Sequence, residues 1–471
     1  LQIVGLGTDQ VAALTTAQAQ SLLTTQIAAM ETVDVAAMST GSLVSLTTWQ
    51  IAGLTTAQAA ALTSTQAQSL TTRQLLGMET ADVAALATFS VQALTTLQML
   101  ALSTSAVAGI STAQAAVLGS VQLLGLTTVQ VAAMETADIA SLNTLALAGM
   151  ATLQIVGLGT AQAAALTSTQ IQALGTAQIA ALETVDVASL TTFSMAALGT
   201  VQVLALTTAQ VAALNTAQAL GLTTLQVFTL ATAQIAALAT SSVQALSTVQ
   251  VLALSTNAVV GLSTAQAAVL GSAQLLGLTT VQVAAMETAD IASLNTLALA
   301  GMATLQIVGL TTAQAAALAS TQVLGLTTLQ IAAMETADLA SLATASVRAL
   351  ASVQMLALLT GSVVALTSAQ VAVLSSAQVL GLTTVQVAAM ETVDVAALNT
   401  AAVGGMGTAQ VVGLTTAQAA ALTSAQVFAL STVQLVAMET VDIAALATAS
   451  VAGMGTLQVV GISTAQAAAL A

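Results

Sequence analysis

Apolar and polar residues alternate along this chain with a period of eight. From Thr15 the segments "TTAQAQSL", "LTTQIAAM", "ETVDVAAM" and "STGSLVSL" follow one another without insertion, and the register holds to Leu470. Numbered from Thr15, position two is always Thr or Ser, position four is usually Gln, position five is aliphatic, and position eight is Leu, Met or Ile. Because a fixed period without insertions is typical of repeat arrays, we predict one continuous solenoid over residues 1–471, a window on a longer chain.

The bulky residues favour helices over strands within each octad. On a helical wheel, positions five and eight share one face and positions three and six share another, whereas a strand would separate both pairs. All fifteen Met residues fall at positions five and eight, where Met fills gaps in a core. The outward set at positions three and six is Trp49, Arg73, Phe89, Phe193, Phe228, Arg348 and Phe428. The pattern therefore predicts an all-α solenoid with one short helix per octad; a β-solenoid is the alternative, because short-period β-helices share the Thr-rich corners.

The start of each octad is typical of a helix N-terminus. In "LTTAQV", a hydroxyl residue followed three positions later by Gln forms a capping box, and the flanking Leu and Val form a hydrophobic staple. Position one also accepts Ala, Glu, Gly and Asn, so either position one or position two is the cap, or the position-two hydroxyl bonds to a neighbouring coil. A helix of six residues is unstable alone, so neighbouring coils must stabilise it, and small residues at position seven would let them approach.

The acidic residues follow a stricter rule than the rest. All except Asp9 form pairs with Glu at position one and Asp at position four. The pairs are Glu31 and Asp34, Glu79 and Asp82, Glu135 and Asp138, Glu183 and Asp186, Glu287 and Asp290, Glu335 and Asp338, Glu391 and Asp394, and Glu439 and Asp442. They recur every six or seven octads once "ATAQIAAL" at 231–238 is counted as a degenerate copy.

Alternating six- and seven-octad spacings predict a superhelix. By analogy with threes and fours on an α-helix, the pattern favours about 6.4 octads per turn, or per small number of turns, with one acidic stripe. Duplication of long blocks is the alternative, because "METADIASLNTLALAGMATLQIVGL" occurs at both 134–158 and 286–310.

We interpret the pairs mainly as caps and as a source of solubility. Asp would replace Gln as the capping side chain, Glu would interact with the helix N-terminus, and the charge would limit uncontrolled stacking. Calcium bridging between filaments or to a cell surface is the weaker alternative, because Ca²⁺ takes six to eight oxygen ligands and one pair supplies few. Contact with a partner protein is a third possibility, and no other cofactor is expected.

The amino-acid composition argues against several classes of function. The chain has no Cys, His, Pro or Tyr, only two basic residues and a formal net charge of −15. Enzymatic acid–base or nucleophilic chemistry lacks its usual residues, so we expect no enzyme. Phosphate contacts need many Lys and Arg, so nucleic acid is a poor partner. Apolar runs are interrupted every few residues, so we expect no transmembrane insertion. The Thr and Ser column is interpreted as capping or as hydrogen bonding between coils, rather than as an ice-binding ladder.

Two resemblances extend this picture. The segment "LTTAQVAAL" at 206–214 resembles the opening of the first helix in TAL-effector repeats, which supports a capped helix but not DNA binding, because the basic residues are missing. The octads as a whole resemble very large, low-complexity secreted proteins of Gram-negative bacteria, often labelled adhesin-like. That resemblance implies an extracellular or cell-surface role.

We therefore expect a structural protein of a bacterial filament, sheath or surface fibre. It would self-associate through the uncharged outward faces of the solenoid, where Ala, Val, Leu and Gln predominate. The alternative is a monomeric surface-binding module, either an adhesin or an ice-binding solenoid.

Overall fold

A computed structural model describes residues 5–470, and in this part of the chain each octad forms one α-helix of four to six residues. Every helix begins at position two, and residues 5–470 contain no strand. The predicted all-α repeat solenoid is confirmed, and the β-solenoid alternative was wrong. Positions five and eight cannot both face a core from an extended backbone.

The fifty-eight helices of residues 5–470 are numbered in chain order. Helices α1 to α20 are Thr8–Ala12, Thr16–Gln20, Thr24–Ala28, Thr32–Ala37, Thr40–Ser45, Thr48–Ile51, Thr56–Ala60, Ser64–Ser69, Thr72–Gly77, Thr80–Ala85, Thr88–Gln92, Thr96–Ala101, Thr104–Ala108, Thr112–Val117, Ser120–Leu124, Thr128–Ala133, Thr136–Ser141, Thr144–Ala148, Thr152–Val156 and Thr160–Ala165. Helices α21 to α40 are Ser168–Ala173, Thr176–Ala181, Thr184–Ser189, Thr192–Ala197, Thr200–Ala205, Thr208–Ala212, Thr216–Gly221, Thr224–Thr229, Thr232–Ala237, Thr240–Ala245, Thr248–Leu252, Thr256–Val260, Thr264–Ala268, Ser272–Gly277, Thr280–Ala285, Thr288–Ser293, Thr296–Ala300, Thr304–Val308, Thr312–Ala316 and Ser320–Gly325. Helices α41 to α58 are Thr328–Ala333, Thr336–Ser341, Thr344–Arg348, Ser352–Ala357, Thr360–Val364, Ser368–Val371, Ser376–Leu380, Thr384–Ala389, Thr392–Ala397, Thr400–Gly404, Thr408–Val412, Thr416–Ala421, Ser424–Ala429, Thr432–Ala437, Thr440–Ala445, Thr448–Ala452, Thr456–Gly461 and Thr464–Ala469.

The helix cap lies at position one, not position two. In α2, the Thr15 hydroxyl accepts a hydrogen bond from the Gln18 backbone N–H, and the Gln18 Oε1 accepts one from the Thr15 N–H at 2.9 Å. Where position one has no capping side chain, the position-four Gln still caps: the Gly159 N–H donates to Gln162 Oε1 at 2.8 Å. This explains why position one tolerates Gly and Ala. The half of the box supplied by Gln does not depend on the residue at position one.

Positions five and eight form the core, as predicted. The side chains of Ile27, Leu62 and Met99 are fully buried, and Met residues at both positions are buried throughout the two compact units described below, except Met454 near the end of the chain. On the opposite face, 80% of Trp49 and 81% of Phe193 are exposed. Each short helix thus presents one apolar seam inward and a second, largely uncharged face to solvent.

Within each of the two compact units described below, helices pack against helices three octads away in the chain. Pairs such as α7 and α10, or α20 and α23, are in contact, and side-chain hydrogen bonds reach back to the octad four earlier. One coil therefore holds between three and four octads. With the degenerate copy counted, the acidic pairs recur every ~6.4 octads on average, which corresponds to about two such coils. The pairs therefore repeat about once every two turns of the solenoid rather than once per turn.

Position seven is small because it meets position two of the coil below. A Cβ built on Gly77 would lie 3.3 Å from the Cβ of Thr48, and one built on Gly125 would lie 2.3 Å from the Thr96 carbonyl oxygen. Ser at position seven uses the same contact: the Ser141 hydroxyl donates to the Thr112 carbonyl at 3.2 Å. The strict Thr or Ser at position two is therefore a coil-to-coil contact residue.

The chain divides into two compact units. One comprises the chain through Leu230 together with Ala237–Ser242, and the other comprises Ala231–Ala236 together with Val243–Ala471. Each unit is built from the same capped helices and the same three-octad packing. A single continuous solenoid over residues 1–471 stays a prediction, and its first four residues and Ala471 lie outside the described residues.

Candidate functional site

The position-four Gln is buried and connects successive coils. Only 1% of Gln58 is exposed; its Oε1 accepts from the Thr55 N–H at 2.9 Å, while its Nε2 donates to the carbonyls of Ile27 at 2.7 Å and Met30 at 2.8 Å. We call this series of bonds the Gln ladder: position-four side chains donating to main-chain carbonyls four octads earlier. The octad pattern predicts the capping role of Gln but not the ladder. Its signal was that Gln, rather than the equally capable Glu, fills this position.

Several octads lack Gln at position four. In some of them, another side chain donates a hydrogen bond to the position-eight carbonyl of the octad four earlier. Ser90 donates its hydroxyl to the Leu62 carbonyl at 2.6 Å. In the octad with Ala146 at position four, Asn143 at position one both caps the helix and bonds to the neighbouring coil. Its Oδ1 accepts from the Ala146 N–H at 2.8 Å, and its Nδ2 donates to the Leu118 carbonyl at 2.6 Å. The position-eight carbonyl is buried at the coil boundary, so losing its donor would be costly.

The eight paired Asp residues interrupt the ladder. They occupy position four, their side chains are at most 4% exposed, and a carboxylate has no N–H to donate. They are Asp34, Asp82, Asp138, Asp186, Asp290, Asp338, Asp394 and Asp442. Two of them have a hydroxyl partner at position two of the octad three earlier: Thr112 donates to Asp138 Oδ1 at 3.1 Å, and Ser368 donates to Asp394 Oδ1 at 2.7 Å.

Some of these carboxylate oxygens have no hydrogen-bond partner. The buried oxygens without one are Oδ2 of Asp138, Asp186 and Asp338 and both oxygens of Asp290. Burial raises the pKa of five of the carboxyl groups above the ordinary value of 3.8; the Glu of the same pair raises the pKa further, and the Thr hydroxyl opposes both. The five are Asp82, Asp138, Asp186, Asp290 and Asp338.

The Glu of each pair is exposed at the N-cap, and its side chain makes no capping hydrogen bond, as at Glu135. The predicted capping role therefore applies at most to Asp: at Asp138 and Asp186 the backbone of the paired Glu lowers the carboxyl pKa and partly opposes the effect of burial. The predicted solubility role can apply only to Glu, because the Asp carboxyls are buried.

The structure brings together the two acids of each pair but not separate pairs. Within residues 5–470, no group of three or more His, Cys, Asp or Glu residues is placed to hold a metal ion. Arg73 and Arg348 are the only basic residues, and both are exposed. Two Arg side chains cannot neutralise eight buried carboxyl groups.

A second candidate surface is formed by apolar residues at position three. In one unit, Val281, Leu305, Leu329 and Val353 are 64%, 71%, 72% and 62% exposed. They lie on α35, α38, α41 and α44, which pack against one another in that order. We call these four residues the outer ridge. A similar row in the other unit comprises Leu97, Val121 and Leu145.

Comparison with known protein families gives one match. A family model described as the ALTTAQ repeat matches residues 27–72, 131–168, 164–192, 179–216, 283–320, 331–368, 387–424 and 435–471, which together cover more than half of the chain. A search of curated proteins finds none that matches. Across residues 5–470, every helix is too short to cross a membrane.

Proposed function

This chain belongs to the ALTTAQ repeat family, and from that premise we propose that it is a structural protein that assembles laterally with copies of itself. The assembly would be an extracellular bacterial filament, sheath or surface fibre. The single observation that carries the proposal is the outer ridge: large aliphatic side chains, mostly exposed, on four successive helices of neighbouring coils.

The ridge has the character of an interface rather than of an ordinary surface. Scattered exposed aliphatic residues are normal, but contiguous apolar patches on soluble proteins mark sites of association. Only 4% of the residues are charged, so the outward face offers little repulsion to a second copy apart from the acidic pairs. The same geometry recurs along a repeat array, so one weak contact would be multiplied by every coil.

A second copy of the chain fits this face better than an unrelated ligand. An ice-binding surface would need a free hydroxyl array, but position-one hydroxyls such as Thr167 bond to the Gln of their own octad. Position-two residues pack against position seven of the next coil. The monomeric adhesin remains the competing outcome of the experiment below.

The extracellular location is part of the proposal. It is supported by the likeness of the octads to large secreted bacterial proteins. Labelling of intact cells with an antibody against this chain, compared with permeabilised cells, tests it directly. Signal restricted to permeabilised cells would contradict the location without affecting the assembly proposal.

Assembly is tested with a ridge variant. We expect the purified chain to form ordered fibres in negative-stain microscopy and to sediment as large species. Leu305→Lys with Leu329→Lys should reduce assembly at least tenfold, because each Lys must be desolvated in the interface. The two added positive charges bring the net charge from −15 closer to zero, so weaker assembly could not come from greater repulsion.

The matched control keeps the apolar character of the ridge. Leu305→Met with Leu329→Met should assemble like the unmodified chain, because Met is apolar and of similar volume. Isolated rods from the unmodified chain over a wide concentration range would favour the monomeric surface-binding module. Equal assembly by the Lys variant would show that the ridge is not the interface.

A further inference from the structure

The buried Asp residues lack a balancing charge. Asp138, Asp186, Asp290 and Asp338 are at most 2% exposed, and each has at least one buried carboxylate oxygen without a partner. An ionised carboxylate in such a place is costly unless a positive charge or a proton accompanies it. The chain itself supplies only two basic residues, so the compensation must come from solution.

The Gln ladder shows what surrounds position four. The Nε2 of Gln66 lies 2.8 Å from the Val35 carbonyl oxygen, 3.2 Å from that of Ala36 and 2.9 Å from that of Met38. Three main-chain oxygens, from positions five, six and eight of the octad four earlier, thus converge on one buried point. We call them the carbonyl triangle. In most octads a partly positive amide nitrogen occupies that point.

An Asp at position four leaves the carbonyl triangle without that donor. By the register of the ladder, Asp138 stands above the carbonyls of Val107, Ala108 and Ile110. The Thr112 hydroxyl, which bonds to Asp138 at 3.1 Å, follows Ile110 by two residues and anchors the carboxylate at this boundary. A carboxylate, a hydroxyl and several carbonyl oxygens are then close together, and all of these oxygens carry a full or partial negative charge.

The strict pairing with Glu bears on whether a cation or a proton compensates the Asp. A single protonated Asp could donate to the triangle without a second acid, although a nearby Glu raises the Asp pKa and so favours the protonated form. Yet every position-four Asp is accompanied by Glu at position one, where Thr would cap the helix and Glu makes no side-chain cap bond. Two acids in one octad, with the carbonyl triangle next to the buried Asp, match the charge and the oxygen ligands of a divalent cation.

We propose that each Glu/Asp pair, with the carbonyl triangle four octads earlier and the position-two hydroxyl three octads earlier, binds one calcium ion between adjacent coils. Ca²⁺ accepts six to eight oxygens in irregular geometry and uses main-chain carbonyls readily, whereas Mg²⁺ demands a regular octahedron. The bound ion would replace the amide nitrogen of the Gln ladder at the interrupted octads. This inference is independent of lateral assembly.

Calorimetric titration of the chelator-treated full chain with CaCl₂ at pH 7 and 0.15 M KCl tests it. We expect about one ion per pair, or about eight per chain, and a higher melting temperature with calcium than with magnesium. Asp138→Asn should remove about one of these sites. Replacing all eight paired Asp by Asn should abolish uptake without unfolding the chain, because the Asn amide supplies an N–H donor at position four, where Gln supplies one in other octads.

Two further variants separate specific sites from ion condensation. Asp9→Asn removes an exposed acid outside the pairs and should leave stoichiometry unchanged, whereas Glu135→Gln should weaken one site at least tenfold. Absence of calcium uptake by the unmodified chain would overturn the proposal. So would undiminished uptake by the eightfold Asn variant, or an infrared carboxylic-acid band at pH 7 that persists in saturating calcium.

Discussion

At the residue scale, the position-four Gln links successive coils of this fold. One side chain caps its own helix through Oε1 and ties together two coils through Nε2. Both ends are satisfied while the side chain is almost fully buried, which makes the amide hard to replace. Glu could cap but could not donate, which explains why Gln fills this position.

The ladder predicts a large difference between two Gln residues of one helix. Gln170→Ala in α21 leaves the carbonyls of Ile139 and Leu142 without their side-chain donor and should lower the free energy of unfolding by about 2–4 kcal/mol. Gln172→Ala, at an exposed position two residues on, should change it by less than about 0.5 kcal/mol. Urea denaturation followed by circular dichroism measures both, and equal effects would contradict the ladder.

The buried Asp residues predict an unusual pH dependence. The pKa values of Asp82, Asp138, Asp186, Asp290 and Asp338 are raised in the folded state, so the ionised form of these five groups is the destabilising one, and the Glu of the same pair is the titratable group beside each. The folded state therefore binds protons more readily than the unfolded state. In a metal-free solution containing a chelator, the free energy of unfolding should rise as the pH falls from 7 through the raised pKa values toward 3.8.

Urea titrations at several pH values in EDTA measure this effect. The variant with all eight paired Asp replaced by Asn should show no such rise, because Asn does not titrate. A steady loss of stability in the unmodified chain over the same range would show that the carboxylates are stabilised as anions without a metal.

At the element scale, each helix is too short to exist without its neighbours. A capped helix of six residues forms few internal hydrogen bonds, and its apolar seam is only two side chains wide. Close packing between coils supplies the rest, and it depends on small side chains at position seven meeting Thr or Ser at position two.

This contact predicts a steric difference between two glycines. Gly125→Ala would place a Cβ 2.3 Å from the Thr96 carbonyl oxygen and 2.9 Å from the Met99 Cβ, so it should destabilise the chain by about 1–3 kcal/mol. The nearest atom to a Cβ on Gly159 is 3.8 Å away, and Gly159→Ala should cost only a few tenths of a kcal/mol. Thermal melts compare the two variants. An unchanged melting temperature for Gly125→Ala would mean that the coils can move apart at little cost.

At the scale of the whole molecule, stability accumulates along the array. Because a helix packs against helices three octads away, an array needs four octads to form its first helix–helix contact. It needs five octads to form the first bond of the Gln ladder, which joins octads four apart. Repeat arrays of this kind gain stability with each added unit, because each interface is formed only between neighbours.

Fragment length therefore decides folding. A peptide of residues 159–182, three octads long, contains no coil-to-coil pair and should be unfolded by circular dichroism. A fragment of residues 127–222, twelve octads long, should be helical and melt cooperatively. Helicity in the short peptide comparable to that of the long fragment would show that the octads are stable on their own.

The sequence by itself determined what is decided within eight residues. The helical class, the capping box and the inward set at positions five and eight follow from side-chain chemistry and the 3.6-residue period, which act locally. The pairing of Glu with Asp was equally visible in the sequence.

Only the tertiary structure decided what depends on residues 24 to 31 positions away. It showed that a coil holds between three and four octads, that the Gln amide bridges coils, and that the paired Asp is buried while its Glu is exposed. An acid at position four looks the same in the sequence whether it faces water or a neighbouring coil. The difference arises from the packing of that coil, which the pattern within one octad does not encode.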